Sequence, residues 1–225
     1  MKKIVIVFVL AAIASVGCKK KQNTVSMIVT ASTPIVTITG SQYFSIPVGG
    51  TLPTIAAVAY DTFYRDSLPV LIDQAGLDNT TPGMYTVLAT AKNKYGFVGS
   101  ANVYVAVTDI TDSLDLTGFY IRNGAAGRSA HVTKLGRGMF MTSNVGGVDT
   151  SDATTGPVVS AVFAVTSPTK LTFGTQQVLD GGVSATLSSN SEQLIMIPGP
   201  PSDTSLVYAI QESSFGTQVR TFVKQ

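Results

Sequence analysis

Residues 83–107, GMYTVLATAKNKYGFVGSANVYVAV, alternate apolar and polar side chains from Met84 to Ala91, break at Asn93 and Gly96, and resume in a second apolar-rich run. Tyr85, Val87 and Ala89 stand in one phase, so a strand through them turns all three toward a core. This is the pattern of a hairpin, and the chain repeats it. Similar runs lie at 34–40, 43–50, 54–61 and 68–74, with Gly49, Gly50, Asn79 and Pro82 at the turns. The second half has runs at 116–124, 129–147, 158–178, 183–199, 206–214 and 217–225, with hairpin turns expected at 136–138, 146–147, 167–169, 180–182 and 189–191. No long stretch carries helical apolar spacing flanked by caps. The expected fold class is all-β: a sandwich over 32–110, a polar hinge at 108–115, and an antiparallel meander or small barrel over 113–225.

The first 17 residues do not belong to that pattern. Lys2 and Lys3 precede an apolar run from Ile4 to Val16, and SVGC ends at Cys18, the only cysteine. A membrane-spanning helix needs about 20 apolar residues, so this run is short for an anchor and suits an export signal. Ser15 and Gly17 beside Cys18 resemble the lipobox of bacterial lipoproteins. That resemblance implies cleavage before Cys18 and a diacylglycerol on its sulfur, with residues 18–31 as a lipidated tether. Lys19, Lys20 and Lys21 would then lie beside the lipid headgroups. The resemblance places the chain in the cell envelope, at the outer membrane. CKKKQN lacks acidic residues after the cysteine that would resemble a surface-export signal, which favours the periplasmic face.

The formal charge of +2 belongs to these leading lysines. Without Lys2, Lys3 and Lys19–Lys21 the chain carries 10 basic against 13 acidic side chains. No basic stripe remains to track a phosphate backbone, so nucleic acid is not an expected partner.

Two further resemblances concern the folded part. VTITGSQYFSIPVGGTLP, AVAYD and TTPGMYTVLATAKNKYGFVGSANVYVAV are similar to the immunoglobulin-like domains of exported bacterial proteins. Pro82, Gly83, Tyr85, Thr86, Val87, Ala91, Asn93 and Gly96 carry the likeness. LTGFYIRNG, followed by VTKLGRGMFMTSNVGG, resembles the C-terminal β-domain of Bacteroidota lipoproteins, whose activity is unassigned.

Catalytic groups are sparse. His131 is the only histidine, Glu192 and Glu212 are the only glutamates, and no G-x-S-x-G elbow occurs. Asp109, Asp112 and Asp115 recur every three residues but lack the glycine and distal glutamate of a calcium loop. Asp149 and Asp152 lie in a loop ill-suited to holding a catalytic pair. The expectation is therefore a non-enzymatic accessory or ligand-binding lipoprotein without cofactor or metal. Its partners would be membrane lipid through Cys18 and a glycan, lipid or envelope protein. Tyr120, Phe140 and Tyr208 are the candidate ligand-binding residues, with 142–157 and 198–205 as rim loops. A hydrolase built on His131 and converging aspartates, and a purely structural spacer, are the alternatives. If the lipobox reading holds, mass spectrometry of the membrane-bound protein finds a diacylglycerol on Cys18. Cys18→Ser then leaves the chain unprocessed or soluble.

Overall fold

The structure is a computed structural model that describes residues 32–122, 127–152, 154, 156–180, 183–196, 204–211 and 217–225. Cys18, its signal and its tether lie outside the described residues.

Seven strands build the first half: β1 (Ile35–Thr39), β2 (Tyr43–Ile46), β3 (Ala56–Asp61), β4 (Asp66–Leu68), β5 (Leu71–Asp73), β6 (Gly83–Lys92) and β7 (Val98–Val107). They form one sheet in the order β1-β3-β4 and another in the order β2-β7-β6-β5. All pairs are antiparallel except β2 with β7, which run parallel. Ile38 of the first sheet shares a core with Val87, Ala89, Val103 and Val105 of the second, which makes the pair a sandwich. Val87 and Ala89 face this core as their phase requires, and Tyr85 packs at its margin. The run at 68–74 is split. Leu68 pairs with Ala59 in one sheet, whereas Leu71 pairs with Thr90 in the other. Pro69, which has no N–H to offer a ladder, stands where the chain changes sheets.

One end of the sandwich is pinned by a buried polar hub. Asp61 is 1% exposed and Asn93 is 5% exposed. Asp61 Oδ1 accepts from Ser32 Oγ at 2.8 Å, the Phe63 N–H at 3.0 Å and the Tyr64 N–H at 3.1 Å, while Oδ2 accepts from Asn93 Nδ2 at 2.9 Å. Asn93 also donates to Ser32 O at 2.8 Å and accepts from the N–H groups of Tyr95 and Phe97 at 3.0 Å. Burial pushes the Asp61 carboxyl up, but its hydrogen bonds with Asn93, Tyr64, Ser32 and Phe63 together outweigh burial and hold it below the ordinary carboxylate value. A depressed folded value adds stability that is present at neutral pH. That stability is lost as pH falls through the folded value, below the usual carboxylate range.

Among the described residues, nine strands build the second half: β8 (Gly118–Arg122), β9 (Ser129–Gly136), β10 (Met139–Thr142), β11 (Ala161–Ser167), β12 (Lys170–Thr172), β13 (Gln176–Asp180), β14 (Val183–Met196), β15 (Thr204–Gln211) and β16 (Val219–Lys224). They make one nine-stranded sheet in the order β12-β11-β10-β9-β8-β16-β15-β14-β13. The sheet curls into a half-barrel. The Leu194 N–H donates to Thr169 O at 2.9 Å and the Phe173 N–H to Ser189 Oγ at 3.2 Å, which draws the β12 edge onto β14. The turn expected at 189–191 is instead a register shift between Ser189 and Ser191 within the 14-residue β14. Such a bulge lets a long strand bend with the curl without ending it.

Each sheet draws its strands from one side of residues 108–117, yet Ser32–Gln225 form one compact unit. Met84 and Ala106 of the sandwich pack with Met139, Val162 and Ala164 of the curled sheet. Thr86 Oγ1 donates to Thr175 O at 2.7 Å, and Ser45 Oγ donates to Arg137 O. Residues 108–115 pack where a polar hinge was expected: Thr108 is fully buried, and Ile110 and Leu114 rest against the core of the curled sheet. The three aspartates secure this segment. Asp109 accepts from the Val48 N–H at 3.1 Å, Asp112 pairs with Lys134 at 3.0 Å, and Asp115 accepts from the Thr117 N–H at 2.8 Å.

Gly174 makes the seam possible. Its φ is +60°, and a Cβ there would stand 2.4 Å from Met84 O. Gly174→Ala is therefore expected to cost about 2–4 kcal/mol, combining left-handed strain with a backbone clash. Gly40→Ala, at φ +93° with open space around its Cβ position, isolates the strain and should cost about 1–2 kcal/mol. Denaturant unfolding of the two variants checks the difference.

Candidate functional site

The three aromatic residues expected at a binding rim lie in the core of the curled sheet. Tyr120 and Phe140 are 0% exposed and Tyr208 is 2% exposed. Phe140, Phe163, Phe173, Tyr208 and Phe222 form a continuous ladder, with successive centroids 5.6, 5.4, 4.7 and 5.7 Å apart. The ladder fills the space that a ligand inside the curl would need. Both phenols are satisfied within the protein: Tyr120 donates to Leu116 O at 2.8 Å and Tyr208 to Val145 O at 3.1 Å. Burial raises both phenols above the ordinary tyrosine value. Their side chains point inward because in a curled sheet the face that collects aromatic side chains is the concave one, which the described core residues fill.

The long loop after β10 is also structural in its first part. Asn144 is 1% exposed, donates to Ser129 O and Val148 O at 2.9 Å, and accepts from the Val148 N–H at 3.2 Å. Arg220 Nε donates to Gly146 O at 2.8 Å and Arg122 Nη1 to Gly147 O at 3.2 Å. Val145 and Val148 are buried, so the loop closes one end of the half-barrel. Further along, Asp149 and Asp152 each bond a neighbouring hydroxyl, Ser151 Oγ at 2.6 Å and Thr154 Oγ1 at 2.7 Å. Of the other rim loop, 198–205, only Thr204 and Ser205 are described, and both lie in β15. His131 is exposed on β9, with Nδ1 3.3 Å from Thr133 Oγ1.

Among the described residues, grooves lie beside the 108–115 segment and along the seam. One groove of about 620 Å³ is lined by residues 109–114, the 166–168 turn and Met196. Two smaller ones, of about 410 and 310 Å³, share Gln176 and Gln177. The first of these two runs over Thr86, Leu88 and Asn102; the second runs under Tyr43, Tyr104 and Ser160. Tyr43 and Tyr104 are register partners of the parallel β2–β7 pair, and their rings stack 6.0 Å apart at 11°. Tyr104 Oη donates to Gln177 O at 3.3 Å, which ties the pair to the curled sheet, and burial raises its phenol. Gln177 Nε2 donates to Thr186 Oγ1 at 2.8 Å. Gln176 is a closed structural element, with its amide bonded to Val162 N–H, Val162 O and Phe173 O.

Among the described residues, no side chain lining these two grooves bears a charge at neutral pH. They offer aromatic faces, amides and hydroxyls, which suit a neutral, hydroxyl-rich molecule. Sequence reasoning missed Tyr43, Tyr104 and Gln177. The one available signal was the phase of Tyr104, which falls opposite to the buried Val103, Val105 and Val107. Its partner Tyr43 lies 61 positions away, and nothing local links them.

No family model matches this chain, and no curated protein matches it. Among solved structures, a lipoprotein from Bacteroides thetaiotaomicron aligns over 85% of this chain and 100% of its own length, with 17% identity and a TM-score of 0.35.

Phe140→Ala is expected to lower stability by about 3–5 kcal/mol by opening a cavity in the ladder. Tyr208→Phe should cost about 1–3 kcal/mol by orphaning Val145 O. Thermal or denaturant unfolding tests both. The raised phenols add a pH dependence: their contribution is complete below the unfolded tyrosine value of about 10 and falls as pH rises above it. Spectroscopic titration should show these two tyrosines ionising only with alkaline unfolding.

Proposed function

We propose that this chain is a non-enzymatic cell-envelope lipoprotein, held at the outer membrane by acylated Cys18, that binds a neutral sugar-containing ligand along the seam. The anchor rests on the order of charged head, short apolar run and SVGC. The ligand class rests on one observation, the uncharged lining of the two grooves that meet at Gln177 beside the stacked Tyr43 and Tyr104. Aromatic faces pack against the C–H faces of sugars, and fixed amides and hydroxyls select among their hydroxyl groups. The sandwich acts as an immunoglobulin-like spacer. Two features support that reading: the parallel β2–β7 pair, and Tyr85 Oη donating to Thr81 O at 2.8 Å in the manner of a tyrosine corner.

The experiment is a glycan array probed with the whole chain from residue 18 carrying Cys18→Ser. The fragment 113–225 would lack both Tyr43 and Tyr104. Saturable binding by calorimetry that weakens about tenfold in Tyr104→Ala is the expected result. Silence across the array, or hits indifferent to Tyr104→Ala, would overturn the sugar assignment.

A further inference from the structure

The hub of Asp61, Asn93 and Ser32 gathers three parts of the chain at one end of the sandwich. They are the turn between β3 and β4, the turn between β6 and β7, and the point where the described body meets the preceding residues. The two turns carry an unusual set of side chains for a surface. Phe63 is 58% exposed and Tyr95 54% exposed, with Val98 at the start of β7 53% exposed. Phe63 packs edge-on to Tyr64 at 4.8 Å, and Tyr64 stacks on Tyr95 at 4.9 Å. Lys94 Nζ lies 4.8 Å from the centre of the Tyr64 ring and 5.1 Å from that of Tyr95. Arg65 and Lys92 are exposed beside them, against one exposed carboxylate, Asp66. Asp61 is sequestered in the hub, so its charge faces inward. Ile35 and Tyr60, paired across β1 and β3, continue the apolar surface with exposures of 55% and 43%.

A cluster with apolar rings outward and cations around them fits the boundary between acyl chains and anionic headgroups. There aromatic side chains sit at headgroup depth, and each lysine or arginine adds attraction to the anionic surface. The exit of the chain selects this partner over others. Residues 18–31 run from the acylation site to Ser32, and Ser32 is bonded into the same tip. The anchor therefore delivers this end of the body to the bilayer at high local concentration, where a weak contact becomes effective.

We infer that the Phe63–Tyr64–Tyr95 tip, with Lys94, Arg65 and Lys92, is a membrane-contact surface for an anionic lipid headgroup layer, orienting the anchored body tip-down. This rests on the anchor reading above, and the test keeps the two separable.

The chain has no tryptophan, so a single introduced one reports without background. Phe63→Trp, Tyr95→Trp and the control Val158→Trp, at an exposed site in the other half, are prepared as full lipidated chains in phosphatidylethanolamine vesicles with and without phosphatidylglycerol. Expected are a blue shift and quenching by brominated acyl chains at positions 63 and 95 when phosphatidylglycerol is present, and neither effect at 158. A protein that floats with the vesicles while position 63 emits as in water overturns the tip assignment and leaves the anchor intact. If Cys18 proves unacylated, the anchor reading falls, and the unanchored Cys18→Ser chain decides the tip. Its binding to phosphatidylglycerol vesicles should then weaken about tenfold in the double variant Phe63→Ser, Lys94→Glu. Equal binding of the two chains overturns the tip.

Discussion

The hydroxyl of Thr108 donates to Val165 O at 2.6 Å in a fully buried position, and the arrangement of the two halves turns on it. Thr108 is the residue after β7 ends, and its N–H is still engaged by Ile46 O at 3.0 Å. Its carbonyl accepts from Arg137 Nη2 at 3.1 Å. One residue thus closes the sandwich, bonds β11 and receives the β9–β10 turn. Buried polar groups are costly unless satisfied, so all of these bonds must form together and the seam has one geometry. Gly138 allows it: with φ +60°, it brings the turn to Thr108 so closely that a Cβ would stand 2.9 Å from Thr108 Cγ2. The neutral grooves are a by-product of this fixed approach, because their walls come from both halves.

The inside of the curled sheet is committed to stability. Five rings in series, with Tyr120 beside them, occupy the axis, and the loop at 143–148 seals one end through carbonyls held by Arg122 and Arg220. Burial lowers both guanidinium values, with Arg128 adding to the effect on Arg122 and Arg122 to that on Arg220, a cost the Gly146 and Gly147 carbonyls offset by accepting their N–H groups. A half-barrel so filled presents its chemistry on the outside.

Strand identity was largely legible because the period-2 signal is local: Met84–Ala91 reads correctly from eight letters. Where local cues failed, a physical reason is visible. Ser189–Ser191 has turn composition, but cross-strand pairing from β15 holds it as a bulge. The aspartates at 109, 112 and 115 have the spacing of a ligand set, but each answers a different neighbour: Val48 and Lys134, which only the tertiary arrangement supplies, and Thr117, two residues on. Burial of Tyr208 was legible as a phase shared with Leu206 and Ile210, whereas Tyr120 and Phe140 have apolar neighbours on both sides. Whether that phase faced a lumen or a core depended on the curl, which composition does not encode. Asn93 was readable as a turn residue. Its role in holding Ser32 and Asp61 was hidden, because those partners are 61 and 32 positions away.

The aromatic tip lies at one end of β6 and β7, and the seam occupies the other part of the same two strands, from Met84 to Leu88. β6 enters at Met84, which packs into the seam, and leaves at Lys92, beside the tip. At about 3.3 Å per residue, Met84 stands roughly 26 Å from Lys92, and the groove wall at Leu88 roughly 13 Å from it. The β6–β7 ladder between them is the longest pairing in the sandwich, unbroken from Gly83–Val107 to Lys92–Val98. A continuous ladder resists bending because any kink would break bonds on both strands. A body seated tip-down would therefore hold the seam at a set distance above the headgroups. The sandwich then works as a rigid strut, in which the inner faces of β6 and β7 provide the core and their length sets how far the grooves stand from the membrane.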